Sequence, residues 1–249
     1  MAQTTVSGER IDANRPYYLL ILFVSLVFML LVVPIFEKSD FGRQLMHFGL
    51  TVVLISAAIT ARKRGLVFAV SLMIVAVAAP LNWSTEFFRE YHNRPLIVTS
   101  LLLDGAFFLA MAILLLMSTI RRHLSSYHSI FGVVTSYLLL GLAWSMLYLA
   151  LLQLDPETFE PSIFVVPEAD RDVGELSTLI YYSFVTMSTL GYGDIRPLTG
   201  IARTLSWMQA VTGQFYIAVL VAWLIGQLPR GGRDRSGRHD AVREASRGA

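Results

Sequence analysis

The sequence predicts an all-α membrane protein with six transmembrane helices and one half-spanning segment. Three observations carry this. Apolar residues make up 55% of the chain and its mean hydropathy is +0.58, above the ~45–50% apolar share of soluble domains. The excess is gathered into runs at 17–36, 45–61, 66–80, 97–117, 129–152 and 203–228. At ~1.5 Å rise per residue, a run of ~20 residues crosses a hydrocarbon core of ~30 Å. A further apolar stretch at 177–188 is too short to span.

Taken in order, residues 1–16 are polar and carry Glu9, Arg10, Asp12 and Arg15. They lack the apolar core and cleavage site of a secretory signal, so the run at 17–36 is expected to stay as a span. The third run is short, and Leu81 to Trp83 are expected to complete it. Trp83, Phe87, Phe88 and Tyr91 read as aromatic anchors in an outer loop at the membrane boundary. The Asn82-Trp83-Ser84 sequon lies too close to the membrane to suggest glycosylation. After Gln227 the chain turns rich in Pro, Gly, Arg and Ser and is read as a disordered tail, 229–249.

Orientation follows from the basic residues. Arg62, Lys63 and Arg64 join the second and third runs, and Arg121 and Arg122 join the fourth and fifth. The tail holds six arginines against Asp234, Asp240 and Glu244, a net of +3. The alternate connections carry mixed or acidic charge. Both termini are therefore expected on the cytoplasmic side, and compact loops without a sensory domain suit a bacterial inner membrane. The tail either holds anionic lipid headgroups or only enforces orientation.

The fourth run, 97–117, contains no Lys or Arg. Its one ionisable side chain is Asp104, ~10 Å deep at helical rise, where a carboxylate is costly unless protonated, paired or hydrated. His47, with Arg43 nearby, is the expected partner. Two roles are open to the Asp104/His47 pair: a structural hydrogen bond, or dependence of function on external pH. The chain has no cysteine, and His123 and His128 are off a common helix face, so no metal site is read there. No phosphate loop, nucleophile elbow or His–Glu constellation suggests an enzyme, and no cofactor or nucleic-acid partner is expected.

The stretch from Tyr181 through Thr189-Leu190-Gly191-Tyr192-Gly193-Asp194 resembles the pore helix and selectivity filter of potassium channels. A dehydrated potassium ion needs several oxygens at close range to replace its water. Successive carbonyls supply them only if all face one axis, which requires left-handed angles that Gly191 and Gly193 accept. The resemblance implies ion binding by Thr189, Leu190, Gly191 and Tyr192, with Leu190 and Tyr192 side chains wedged against the scaffold. It implies filter support from Gly193, Asp194, Tyr181, Tyr182 and Val185. The two tyrosines stand where many relatives carry tryptophans, and Val185 where some carry a buried glutamate.

Further along, Gly213 falls at the family's inner-helix hinge, and Gln214, Ile217, Val221 and Ile225 follow at cavity-lining spacings. The half-span helix would turn its partially negative end toward the pore centre. One chain makes one wall, so closure implies a fourfold-symmetric homotetramer.

The resemblance covers 129–228, a pore domain. Residues 17–128 resemble only the general plan of a voltage-sensor-like four-helix unit, here without its ~3–4 gating charges. Asp155, Glu157, Glu160, Glu168, Asp170, Asp172 and Glu175 against Arg171 give the loop before the pore helix a net of −6. Four copies would concentrate cations at an outer mouth. The function expected is a potassium-selective channel subunit without strong voltage gating, with K+ as the transported ion. A weakly selective cation channel and a regulatory subunit of mixed tetramers are the alternatives.

Overall fold

The computed structural model describes residues 15–36, 40–62, 65–87, 94–120, 127–160 and 171–226. Seven α-helices follow one another: α1 (Arg15–Phe36), α2 (Asp40–Thr60), α3 (Gly65–Phe87), α4 (Arg94–Ile120), α5 (Tyr127–Leu154), α6 (Arg171–Met187) and α7 (Gly200–Gly226). Among the described residues there is no strand. A single antiparallel bridge joins Phe159 to Pro197. Helices α1, α4, α5 and α7 contain stretches long and apolar enough to cross a membrane, while α2 and α3 carry shorter ones, Gln44–Thr60 and Phe68–Ser84.

All-helical structure is what a bilayer demands, because each helix satisfies its own backbone groups where no water can. The third run extends further than its apolar stretch suggests. α3 continues past Pro80 to Phe87, losing only the bond that the missing proline N–H would make. Trp83 therefore lies on a helix, not in a loop, and its indole N–H donates to Thr51 Oγ1 on α2 at 3.2 Å. Phe88, Tyr91, the connectors 63–64 and 121–126, and the tail 229–249 lie outside the described residues.

Helix α4 runs along α5, α1 along α2, and α6 sits between α5 and α7. Phe107, Phe108 and Met111 of α4 are buried with Leu139, Leu142 and Met146 of α5. Gly105 permits this approach, since a Cβ there would stand 3.3 Å from Met146 Cβ. Leu22, Leu26 and Met29 of α1 join Leu50, Val53 and Leu54 of α2 in the same core.

Asp104 is fully buried. Its partner is Asn82 of α3, whose Nδ2 donates to Asp104 Oδ2 at 2.8 Å. This corrects the expected pairing with His47, whose ring instead lies 6.0 Å from that of Trp83. An amide two residues beyond Pro80 reaches the carboxylate because α3 continues past that proline. The Arg43 side chain lies outside the described residues.

The closest approach at any described glycine is at Gly213, buried on α7. A Cβ there would stand 2.0 Å from the Met187 carbonyl oxygen and 2.8 Å from Met187 Cγ. The position thus has a packing reason to be glycine: α7 lies directly against the end of α6. Gly213→Ala should force these helices apart, costing about 1–3 kcal/mol and lowering the unfolding midpoint in detergent. Gly200→Ala, with nothing within 4 Å of its Cβ, should leave that midpoint nearly unchanged.

Candidate functional site

The site is assembled at the C-terminal end of α6. Its last turn does not stop abruptly. Ser188 N–H donates to Phe184 O at 2.9 Å and Thr189 N–H to Thr186 O at 3.0 Å. Leu190 and Gly191 then both donate to one acceptor, Val185 O, at 3.0 and 3.3 Å. No peptide bond here is cis, and in a trans unit the carbonyl of one residue opposes the N–H of the next. The Thr189 and Leu190 carbonyls therefore point away from the helix end. Val185, singled out for its side chain, contributes through its backbone.

Gly191 and Gly193 adopt φ of 55° and 77°, angles a Cβ would penalise by roughly 1–2 kcal/mol. Thr189 also takes a positive φ, 59°, which the sequence did not signal. Leu190 and Tyr192 do not wedge against their own chain, being 54% and 67% exposed. Any packing for these side chains therefore has to come from outside this chain.

The two tyrosines part company. Tyr181 O–H donates to Asp194 Oδ2 at 2.6 Å, while Asp194 Oδ1 accepts from Ile195 N–H at 3.0 Å. Tyr182 turns the other way, sharing a 2.6 Å hydrogen bond with Ser206 of α7 and setting its ring edge-on to Tyr148 and Phe159, each at 5.2 Å. Successive helix positions are ~100° apart, so only one can face the filter exit. Tyr181 supports the exit directly, and Tyr182 anchors α6 to the scaffold.

Several groups that the sequence reading passed over prove central. Gln209, fully buried on α7, donates through Nε2 to Ser183 Oγ at 2.7 Å and Ser183 O at 3.1 Å, and accepts from Tyr148 O–H at 2.8 Å. Ser183 Oγ in turn donates to Gly141 O of α5 at 2.7 Å. This chain of bonds ties α5, α6 and α7 together. The signal available was a lone amide and a serine inside apolar runs, where polar groups need interhelical partners.

At the exit, Arg196 Nε donates to Gly193 O at 3.0 Å and lies 3.8 Å from Glu160. Glu160 N–H donates to Arg196 O, and Leu198 N–H to Thr158 O, so the segment before α6 pairs with the segment after the filter. A short 3-10 turn, Pro156–Thr158, capped by Asp155, delivers this segment. Of the expected acidic mouth, Asp155 and Glu157 are exposed, but Glu175 is buried and accepts from Gln153 Nε2 at 3.1 Å. It is part of the scaffold and not of the surface field. Glu168, Asp170 and the Asp172 side chain lie outside the described residues.

On the inner side, Gln214 Nε2 donates to Thr189 Oγ1 at 3.0 Å. Ile217 and Val221 are exposed along α7, and the Ile225 side chain lies outside the described residues.

Residues 132–228 match the family described as Ion channel. The chain is 31% identical over 100 residues to Protein LctB of Bacillus caldotenax, covering 40% of this chain and 72% of that protein. It is 38% identical over 60 residues to the voltage-gated potassium channel Kch of Escherichia coli (strain K12), covering 24% of this chain and 14% of Kch. The chain belongs to the potassium channel family. It is a multi-pass membrane ion channel, not an enzyme. No solved structure matches it at comparable significance.

Two outcomes follow for this channel. The Tyr181 hydrogen bond holds the Asp194 carboxyl below the usual carboxylate range and, reciprocally, pushes the tyrosine up to about 12. A group lowered in the folded state contributes stability above its ordinary pKa and loses it as pH falls through the lowered value. The contact should therefore persist at neutral and mildly acid pH. Tyr181→Phe should return the Asp194 pKa toward 3.8, the ordinary value, and move any acid-induced loss of current to higher pH. Gln209→Leu should strand Tyr148 O–H and Ser183, costing about 1–3 kcal/mol in detergent unfolding, whereas Thr212→Val at the exposed face should not.

Proposed function

We propose that the chain is one subunit of a homotetrameric, potassium-selective channel conducting dehydrated K+ through a filter formed by Thr189, Leu190, Gly191 and Tyr192. The observation that carries this is the shared bond of the Leu190 and Gly191 amides to Val185 O. It turns consecutive carbonyls away from the protein, where they can replace an ion's hydration shell. An ion needs such oxygens on all sides, and one chain supplies one wall. The exposure of Leu190 and Tyr192, and of Trp207 and Phe215 on α7, supports fourfold closure.

Gly193, Asp194 and Tyr181 hold the outer end of this filter, and Tyr182 and Val185 hold its helix. Gln214, Ile217, Val221 and Ile225 of the inner helix line the cavity, and Gly213 is its packing point and hinge. Six spans place both termini in the cytoplasm of a bacterial inner membrane. Residues 17–128 form a four-helix unit and 129–228 the pore, with 229–249 as a basic tail for anionic lipid. The α4 segment 97–117 carries no basic residue, so strong voltage gating is not part of the proposal. Asp104 ties α4 to α3 through Asn82.

The test is the reversal potential of the purified protein in liposomes under a potassium–sodium gradient, beside Gly191→Ala. The expected result is reversal near the potassium equilibrium potential, lost in the variant, whose Cβ is strained at φ of +55°. Reversal near zero that still depends on Gly191 would replace this reading with a weakly selective cation pore. That outcome has a structural rationale, because of the two tyrosines only Tyr181 reaches the filter exit, Tyr182 being turned to Ser206.

A further inference from the structure

At the inner end of the filter, Thr189 makes two side-chain hydrogen bonds. Its Oγ1 donates to Ser188 O at 2.7 Å and accepts from Gln214 Nε2 at 3.0 Å. The first bond determines the polarity of the second. A hydroxyl has one proton, and with that proton on Ser188 O, the oxygen can only accept from Gln214. The amide thus presents its N–H side, partially positive, to an oxygen that a permeating cation would ligate. Thr189 is also the one described non-glycine residue with positive φ, 59°, a conformation that persists only where the surroundings impose it. Gln214 follows Gly213, which locks this turn of α7 against the Met187 carbonyl. The amide is therefore delivered to Thr189 from a fixed position.

We propose that Gln214 is the positioning residue of the innermost ion site, competing through this hydrogen bond with the permeating K+ for the Thr189 hydroxyl oxygen. This rests on the filter reading above and deepens it. When K+ occupies the inner site, the Gln214 N–H leaves Oγ1. When the ion moves on, the amide returns. The inner site is then weaker than its oxygens alone would make it, which favours release of the ion over tight holding. Conduction needs binding strong enough to admit the ion and weak enough to let it leave.

The experiment is calorimetric K+ titration of the purified, assembled channel. Gln214→Met keeps length and helix propensity but cannot donate, and should bind K+ about 3- to 10-fold more tightly, as expected on losing one competing hydrogen bond. Gln214→Asn is one methylene too short to reach and should shift the same way. It stands in if the methionine variant does not assemble. In a Thr189→Val background, which lacks the contested oxygen, Gln214→Met should add nothing. Unchanged K+ affinity in both Gln214 variants, or an equal gain in the Thr189→Val background, would overturn the proposal. K+ binding that is the same in the unsubstituted channel and in Gly191→Ala would instead sink the filter reading itself and the Gln214 role with it.

Discussion

Val185 O receives two successive amides, those of Leu190 and Gly191, and the direction of the filter carbonyls depends on where that oxygen sits. An acceptor at the end of a helix is displaced by any tilt of that helix. The surrounding structure reads as restraint on α6. Met187 is pressed against Gly213 of α7, Ser183 is bonded to Gln209 of α7 and Gly141 of α5, and Tyr182 is bonded to Ser206. Each restraint acts on a different turn or face of α6, so together they oppose both rotation and translation.

The exit of the filter is held by separate means. Asp194 is bonded to Tyr181 and Arg196 spans Gly193 O and Glu160, while the Phe159–Pro197 bridge closes the chain on itself. The Tyr181–Asp194 and Arg196 contacts are exposed and charge-assisted, hence sensitive to salt and pH. Those behind α6 are buried and mostly neutral. The turn after α6 is thus held by buried contacts at one end and by exposed, titratable ones at the other.

Much of the site was legible in the sequence. The Thr189 to Asp194 motif, its glycines and the half-span before it follow from local chemistry, because a left-handed angle and a run too short to span are properties of a few residues in order. The Tyr181–Asp194 contact was within reach of the same reasoning. The brace through Gln209, Ser183 and Tyr148 was not, since its members are 26 and 61 residues apart and meet only when three helices pack. The same holds for Asp104. Its burial could be inferred from hydropathy, but the choice of Asn82 over His47 depends on how far α3 continues and which face it turns to α4.

By itself the sequence determined that the chain crosses membranes as helices, where the glycine-rich turn Thr189 to Asp194 lies and that the run 97–117 lacks basic residues. Those are consequences of composition and short-range order, which a bilayer and a glycine-rich turn read directly. Only the tertiary structure decided which tyrosine faces the exit, that Glu175 is buried, that Gly213 is a contact point, and that Gln214 reaches Thr189. Each depends on the relative rotation of two helices, and a rotation of ~100° exchanges one residue for its neighbour without altering anything the sequence pattern records.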